Sequence, residues 1–172
     1  MTKPAARRGA RIREATERDL VAVARVHLET VVPAYAGIFP PDAPAPTLEE
    51  LQTGWERDLR APQKTAFVAE LAGEVVGTAV VCPAADTDRV GELRRLHVLP
   101  AHWGCGIGSA LHDLAVRALA GRFSRAELWV LERNTRARSL YERRGWTVVP
   151  DRMLEWPGIS VTEVRYAREL RV

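Results

Sequence analysis

Apolar positions first recur at the spacing of one helix face between residues 17 and 31, behind a short strand-like run over 11–15. This period predicts a helix. Thr16 and Asp19 give that helix a Thr-x-x-Asp start, in which the threonine oxygen can accept an orphan backbone N–H. Pro33 is expected to end the helix, because proline lacks the N–H that the next turn needs.

A proline-rich segment follows, and a second helix is predicted beyond it over residues 48–60. The run IFPPDAPAP contains too many prolines for regular structure, so we expect an irregular, exposed connection of the kind that often shapes binding sites. Thr47 and Glu50 form a capping box at the start of the second helix.

Alternating and β-branched runs predict the sheet. TAFVAEL and EVVGTAVV meet at Ala72-Gly73, which is a compact hairpin signal, and a third strand is predicted over about residues 90–98. A helix, the strand AELWVL, a helix from Asn134 and a last hairpin from TVV to ISVTEVRYA follow. Antiparallel strands followed by a strand–helix–strand unit predict an α/β sheet with helices on both faces.

Composition narrows the class to a single soluble domain. The chain has 172 residues, of which 47% are hydrophobic and 27% charged, so it can bury one core without disulfides. We expect a flexible tail over 1–9 and one domain over 10–172. There is no apolar run of about 18 residues, no signal-peptide core and no disulfide framework in Cys82 and Cys105. A cytoplasmic protein with no membrane partner is therefore expected.

The charge balance gives little support to a nucleic-acid partner. The net charge is +3, and arginine supplies nearly all the positive charge because Lys3 and Lys64 are the only lysines. A basic cluster opens the chain, but acidic residues follow closely and no long basic run appears elsewhere. We expect no nucleic-acid partner.

The stretch LHVLPAHWGCGIGSALHDLAVRAL leads from a strand into a helix through Gly104, Gly106 and Gly108. A helix N-terminus carries unpaired N–H groups and the positive end of the dipole, and glycines let an anion approach it. A phosphate-bearing ligand fits this pattern, although a purely structural helix entry also fits. The dinucleotide pattern G-x-G-x-x-G fails in both registers, at Ser109 and at Leu111, and no P-loop lysine is present.

This stretch resembles the GNAT superfamily of acetyl-CoA-dependent N-acetyltransferases. LRRLHVLPAHWGCGIGSAL is similar to its strand and pyrophosphate loop, Gln/Arg-x-x-Gly-x-Gly/Ala, with Trp103 where Gln or Arg is usual. LWVLERNTRARSLYERRGWTVV resembles a later family segment, N-x-x-A-x-x-x-Y-x-x-x-G-[FW]. The matching residues are Asn134, Ala137, Tyr141, Gly145 and Trp146. The resemblance covers nearly the whole chain from Arg11.

The resemblance implies the GNAT-type acyl-CoA N-acyltransferase fold, with a mixed, mostly antiparallel sheet of six to seven strands. It implies transfer of the acetyl group of acetyl-CoA, as co-substrate, to a primary amine by direct attack in a ternary complex. The acceptor would be a small-molecule or peptide amine, and the frequency of dimers in the family leaves a homodimer open. The departure at Trp103 keeps a second class open, a non-catalytic acyl-CoA-binding or regulatory module.

The resemblance also implies roles for single residues. Glu92 would accept the amine proton through water, Tyr141 would protonate the leaving thiolate, and Asn134 would hydrogen-bond the pantetheine. Simpler roles compete with these: an edge carboxylate paired with Arg94 or Arg95, a core aromatic and a helix N-cap. A strand bulge would aim the Val98 N–H at the acetyl carbonyl. The residues expected to bind the cofactor are Leu96, His97, Val98, Trp103, Gly104, Cys105, Gly106, Ile107, Gly108, Ser109, Asn134 and Tyr141.

The acceptor pocket is expected between the first helix, the proline-rich loop and the last hairpin. Polar and aromatic groups there could hold an amine, although core packing competes for two of them, Tyr35 and Trp55. The candidates are His27, Glu29, Tyr35 and Trp55, with Trp156 and Arg165 on the other side.

A metal interpretation of the loop is weaker. His102 and Cys105 have a ligand-like spacing, with His97 and His112 nearby, but zinc would compete with phosphates for the loop. We expect exposed histidines, a loop thiol and no metal. Cys105 as a nucleophile would need an orienting base, and the sequence offers none that we can identify.

Overall fold

The chain folds into one seven-stranded sheet with helices on both faces, as the sequence predicted. A computed structural model describes residues 9–85, 87–155 and 161–170; the expected tail up to residue 8 and Trp156 lie outside them. The strands are β1 (Arg11–Glu14), β2 (Thr65–Leu71), β3 (Glu74–Ala84), β4 (Thr87–Val98), β5 (Arg125–Leu131), β6 (Thr147–Glu155) and β7 (Thr162–Glu169). The helices are α1 (Leu20–Ala34), α2 (Leu48–Arg60), α3 (Ile107–Ala120) and α4 (Thr135–Glu142).

The start of α2 follows from its capping residues. The Glu50 carboxylate accepts hydrogen bonds from the backbone N–H and the hydroxyl of Thr47 at 2.8 and 3.0 Å. In return the Thr47 hydroxyl oxygen accepts from the Glu50 N–H at 3.2 Å. Two otherwise unpaired backbone donors are satisfied in this way, and the helix begins at Leu48 as expected.

The end of α1 differs from the expectation. A 3-10 turn over Glu17–Asp19 precedes the helix, and the helix runs past Pro33 to Ala34. The Tyr35 N–H still donates to the Val31 carbonyl at 2.9 Å. Pro33 therefore removes one hydrogen bond in the last turn without stopping the helix.

The strand order across the sheet is β1-β2-β3-β4-β5-β7-β6. Every neighbouring pair is antiparallel except β4 and β5, which are parallel. These two strands pair only at Gly91 with Ala126 and at Glu92 with Glu127. Beyond Glu92 they diverge, and the divergence opens a cleft in the middle of the sheet.

The irregularity of β4 lies at the start of this cleft. Val80 of β3 is opposite Arg95 and Val81 is opposite Leu93, so Arg94 is an extra residue in β4. The bulge was expected near residues 96–98 and lies instead at Arg94. It re-aims the side chains of β4 just where β5 turns away.

Two glycines let α3 lie close to one face of the sheet. A Cβ atom on Gly91 would come within 2.5 Å of Leu119 and 2.7 Å of Phe123, and one on Gly77 would come within 2.9 Å of Leu111. Helices α1 and α2 cover β2, β3 and β4 from the other face. None of the helices in the described ranges is long and apolar enough to cross a membrane.

A partly buried ion pair joins β1 to the start of α1. Arg13 donates two hydrogen bonds of 2.8 Å to the Asp19 carboxylate and lies 3.2 Å from the Glu70 carboxylate. Asp19 also accepts from the Thr16 N–H at 2.8 Å. The hydrogen bond from Arg13 is the main cause that lowers the pKa of Asp19 from 3.8 to about 2.

We predict that Asp19→Asn lowers the free energy of unfolding at neutral pH by about 1–3 kcal/mol, because charge-assisted hydrogen bonds are lost. The lowered folded-state pKa makes this contribution complete above about pH 4, and it disappears as the pH falls towards about 2. Urea denaturation of both proteins across this range measures the effect. Asp42→Asn, which removes the same charge from an exposed loop, is the control. A difference in the free energy of unfolding between Asp19→Asn and wild type that stays constant down to the lowest pH would contradict this role.

Candidate functional site

The cleft between β4 and β5 has a backbone edge that is not paired with the sheet. The Leu99 N–H donates to the Val76 carbonyl of β3 at 2.9 Å. Because backbone groups alternate in direction along a strand, the N–H and C=O groups of Val98 and Leu96 face away from β3, into the cleft. Such groups need other partners.

Glycines shape the loop at the wide end of the cleft. Gly104 and Gly106 have φ angles of 77° and 88°, in the left-handed region that other residues rarely adopt. Helix α3 begins directly after them at Ile107. The loop therefore brings the first N–H groups of a long helix, and the positive end of its dipole, to the mouth of the cleft.

A cavity of about 400 Å³ runs from this loop along the cleft. Its walls combine the edge of β4, the glycine loop, the outer face of α4 and the end of α1. The lining residues are Thr30, Ala34, Leu96, Val98, His102, Trp103, Gly104, Gly106, Gly108, Ser109, Asn134, Arg136, Ala137, Leu140, Tyr141 and Arg143. The residues expected to bind the cofactor thus lie together, except His97, Cys105 and Ile107. Cys105 and Ile107 line a separate cavity of about 350 Å³ with Asp113 and Arg144.

Helix α4 presents its two motif residues to the cavity. The side-chain oxygen of Asn134 accepts a hydrogen bond from the Ala137 N–H at 3.2 Å, so Asn134 is the N-cap of the helix. This bond uses the amide oxygen, and the NH₂ group is the part that can donate to a ligand. Tyr141, seven residues later, lies on the same face and also lines the cavity.

Tyr141 is held in an aromatic cluster. Its ring centroid is 6.3 Å from that of Trp146, 6.4 Å from that of Tyr166 and 6.4 Å from that of His112. Burial, and secondarily repulsion from the Tyr35 phenolate that would form at high pH, raise the pKa of the Tyr141 hydroxyl above its ordinary value. The phenol is therefore protonated throughout the neutral range.

His112 corrects the expectation of exposed histidines, because it is fully buried in this cluster. Its Nε2 accepts a hydrogen bond of 2.8 Å from the Trp146 indole N–H, and its Nδ1 lies 2.9 Å from the Asp113 carboxylate. The indole donor requires an unprotonated Nε2, so the ring is neutral with its proton on Nδ1. Burial accordingly lowers the pKa of His112.

Trp103 faces the end of β4. Its indole N–H donates to the Val98 carbonyl at 2.6 Å. The Thr30 hydroxyl, which donates to the Val26 carbonyl at 2.6 Å, lies 3.2 Å from the same Val98 oxygen. Trp103 therefore satisfies a cleft-facing backbone group with its own polar atom. The Val98 N–H is not involved in these two contacts.

Glu92 lies at the apex of the cleft, in the last residue pair that joins β4 to β5. It is buried, with Arg94 at 3.8 Å and the Cys82 thiol at 4.0 Å. Its neighbour Glu127 is paired with Arg165 at 2.9 Å. Burial raises the pKa of Glu92, the Arg94 charge opposes that effect, and Glu127 adds to it. The expected pairing with Arg94 is present, but the carboxylate is not solvated.

Two histidines are in contact on the face of β4 that α1 covers. The rings of His27 and His97 stack with centroids 4.1 Å apart. Nδ1 of His27 accepts hydrogen bonds from the Trp55 indole at 3.3 Å and from Arg95 at 3.1 Å. Burial, and then the Arg95 charge, lower the pKa of His27 to about 4, and burial also lowers the pKa of His97. Both are neutral at pH 7, and His97 corrects the expectation of an exposed ring.

Asp58 holds this group in place and was not singled out from the sequence. Its carboxylate is buried between Lys64 at 2.5 Å and Arg95 at 2.8 Å. Burial alone would raise the pKa of Asp58, but the hydrogen bond from Lys64 and the charge of Arg95 outweigh it and lower the pKa. The position of Asp58 within an amphipathic helix gave no signal, because polar residues surround it in the sequence.

The acceptor candidates occupy different environments. Trp55 is fully buried beneath Arg95, and Glu29 pairs with Arg25 at 3.6 Å on the exposed side of α1. Tyr35 is half-buried; burial and the Glu163 charge raise the pKa of its hydroxyl, while Arg95 opposes them. The structure therefore brings Tyr35, but not Glu29, within electrostatic reach of Arg95 and Glu163.

Among the side chains that the structure describes, no cluster of three or more metal-ligating His, Cys, Asp or Glu residues is present. His102 and Cys105 lie in the loop, and the Cys105 thiol is 3.7 Å from the Trp103 carbonyl. His112 is engaged with Trp146 in the core. These residues do not converge on a common point.

Comparison with known proteins decides the family. The model of the acetyltransferase (GNAT) family matches residues 28–146, a range that includes both the glycine loop and α4. The chain belongs to the GNAT family. It is therefore an acetyltransferase of the group that uses acetyl-CoA and acts on amine acceptors in general.

Individual relatives agree with this assignment. An uncharacterised N-acetyltransferase from Archaeoglobus fulgidus is 34% identical over 136 residues, covering 76% of this chain and 88% of that protein. A mycothiol acetyltransferase from Kineococcus radiotolerans is 42% identical over 71 residues, which span 41% of this chain and 23% of the larger relative. The structure of the PaiA N-acetyltransferase from Thermoplasma acidophilum in complex with coenzyme A has a TM-score of 0.69 at 20% identity, covering 91% of this chain and 97% of that one. This structural likeness concerns the fold.

Proposed function

We propose that this GNAT protein is a cytoplasmic N-acetyltransferase that moves the acetyl group of acetyl-CoA to a primary amine by direct attack in a ternary complex. The observation that carries the proposal is the cleft between β4 and β5. It has a helix N-terminus at its mouth, a backbone edge that does not pair with β5 along its side and a buried carboxylate at its apex. These three features suit an anion, an amide-bearing arm and a general base, respectively.

Coenzyme A binds with its diphosphate at the glycine loop. The backbone N–H groups between Gly104 and Ser109, including those of Cys105 and Ile107, hold the phosphate oxygens. The pantetheine arm then lies along β4, where Leu96 offers its backbone N–H and C=O groups to the amides of the arm. The Asn134 NH₂ group donates to the same arm from α4, and the Val98 N–H donates to the acetyl carbonyl.

The acceptor amine enters from the α1 and α2 face and must lose a proton, because an ammonium group has no lone pair. Glu92 takes this proton through water. Its raised pKa brings it closer to the working pH than an ordinary carboxylate, which favours its action as a general base. The half-buried Tyr35 and the neutral His27 line the approach as acceptor-binding residues.

The chemical step forms a bond between the amine nitrogen and the acetyl carbon and breaks the bond between that carbon and the CoA sulfur. The sulfur leaves with the electron pair of the broken bond. Tyr141 donates its phenolic proton to this thiolate, since it lines the cavity and stays protonated at neutral pH. The amine proton passes to Glu92, so the step is balanced.

The proposal is tested by measuring release of the CoA thiol from acetyl-CoA with a panel of amines that includes peptide N-termini, lysine, polyamines and amino sugars. We expect amine-dependent thiol release with at least one class, together with the acetylated amine by mass spectrometry. CoA binding by calorimetry with no turnover of any amine would instead favour the acyl-CoA-binding module.

Glu92→Gln is expected to lower turnover roughly 10²-fold at neutral pH. In the wild type the rate falls as the pH drops through the raised pKa of Glu92, because the protonated carboxyl group cannot accept a proton. In the variant this dependence is lost and the rate recovers at high pH, where the free amine is abundant. A pH profile of kcat/KM measures both effects.

Two further variants distinguish the loss of a general base from other causes of lower turnover. Tyr141→Phe lowers turnover at every pH, because more free amine does not replace a proton donor. Glu74→Gln removes an exposed carboxylate from the β2–β3 hairpin and leaves the rate unchanged. Equal rates for wild type and Glu92→Gln at neutral pH would exclude Glu92 as the base.

A further inference from the structure

The loop of this protein lacks the polar side chain that the family pattern places at its start. Trp103 stands at that position, and its one polar atom is used, since the indole N–H donates to the Val98 carbonyl at 2.6 Å. Trp103 therefore has no donor left for a phosphate. The backbone amides of the loop carry partial charges only, so a full positive charge at the diphosphate would have to come from another element.

Helix α4 places a cation directly over the Trp103 ring. The guanidinium carbon of Arg136 lies 3.9 Å from the ring centroid, well inside the range of about 6 Å for a cation–π contact. Both residues line the cavity that contains the loop glycines. Stacking on an aromatic face orients the planar guanidinium group while its N–H donors remain at the edge, free to bind a planar or tetrahedral anion.

The surroundings of Arg136 differ from those of its neighbours. Arg138, two residues further along α4, donates to the Tyr166 hydroxyl at 2.8 Å and to the Glu132 carbonyl at 2.9 Å. Across the described part of the chain, no carboxylate forms an ion pair with Arg136, and the residue is exposed. Arg136 lines the cavity, and among the described residues no carboxylate neutralises its charge.

We propose that Arg136, oriented on the face of Trp103, is the cation that binds the diphosphate of coenzyme A in this protein. The inference rests on the proposed function, because it takes coenzyme A as the ligand of the cavity. Trp103 acts as a positioning residue. Its indole N–H donates to the Val98 carbonyl at the end of β4, and its ring supports the Arg136 guanidinium group. In the family pattern a side chain of the loop can supply this charge. In this protein Arg136 of α4 supplies it instead.

The test is calorimetric titration of wild type and Arg136→Ala with two probes, coenzyme A and S-acetylpantetheine, which lacks the diphosphate and the nucleotide. Arg136→Ala is expected to weaken coenzyme A binding about tenfold or more, as the loss of a charge-assisted hydrogen bond implies, and to leave S-acetylpantetheine binding unchanged. Arg136 is exposed on a helix and alanine favours helices, so the variant retains the fold, which circular dichroism checks.

Two other arginines serve as controls of the same charge. Arg133→Ala, at an exposed position outside the cavity, should leave the affinity for coenzyme A unchanged. Arg143 lines the same cavity, but among the described residues no aromatic ring supports it, and Arg143→Ala should have a smaller effect than Arg136→Ala. Trp103→Leu removes the supporting ring. In this background Arg136→Ala should weaken coenzyme A binding by a smaller factor than in the wild type, because the two residues act as a unit.

The outcomes separate this inference from the proposed function. Unchanged coenzyme A affinity in Arg136→Ala, equal losses in Arg136→Ala and Arg133→Ala, or equal losses for both probes would each overturn the role of Arg136 and leave the proposed function standing. Wild-type protein that binds neither probe at millimolar concentration would overturn both.

Discussion

The site depends on the short pairing between β4 and β5. Two residue pairs join these strands, and the strands then separate. A strand in the middle of a sheet normally uses both of its edges, so the separation leaves one edge of β4 with polar backbone groups that must find other partners. The Val98 carbonyl accepts a hydrogen bond from Trp103 and lies 3.2 Å from the Thr30 hydroxyl. The remaining backbone groups of this edge face a cavity of about 400 Å³. The candidate binding site is thus a consequence of the incomplete pairing of β4 and β5.

The same separation divides the chemistry between the two faces of the sheet. The glycine loop, Asn134 and Tyr141 approach from the face of α3 and α4, where an anion and an extended arm can be held. The neutral histidines and the Asp58 ion pairs lie on the face of α1 and α2. Glu92 is at the apex, where the two strands last pair. In the proposed function, the acetyl donor and the amine acceptor enter from opposite faces and meet near this residue.

Much of this arrangement was predictable from local sequence. Helix periodicity and caps located α2, the Ala72-Gly73 signal located the first hairpin, and the glycines identified the loop before α3. Local rules failed at Pro33, because a proline in the last turn costs only one hydrogen bond there.

Tertiary contacts account for the rest. His112 is three residues before the buried Ala115 and seven before Leu119, a helical spacing that could have revealed its burial, but its partner Trp146 is 34 residues away. The bond between Trp103 and Val98 and the stacking of Arg136 join separate elements, so no local pattern contains them.

Backbone amide NMR of the protein titrated with coenzyme A tests most directly whether the cleft binds the cofactor. Binding in the cleft predicts the largest chemical-shift changes at the amides of Leu96, Val98 and the loop from Gly104 to Ser109, with small changes on β1 and β2. The absence of shifts at millimolar coenzyme A, or shifts confined to residues outside the cleft, would contradict the assignment of this cleft as the coenzyme A site.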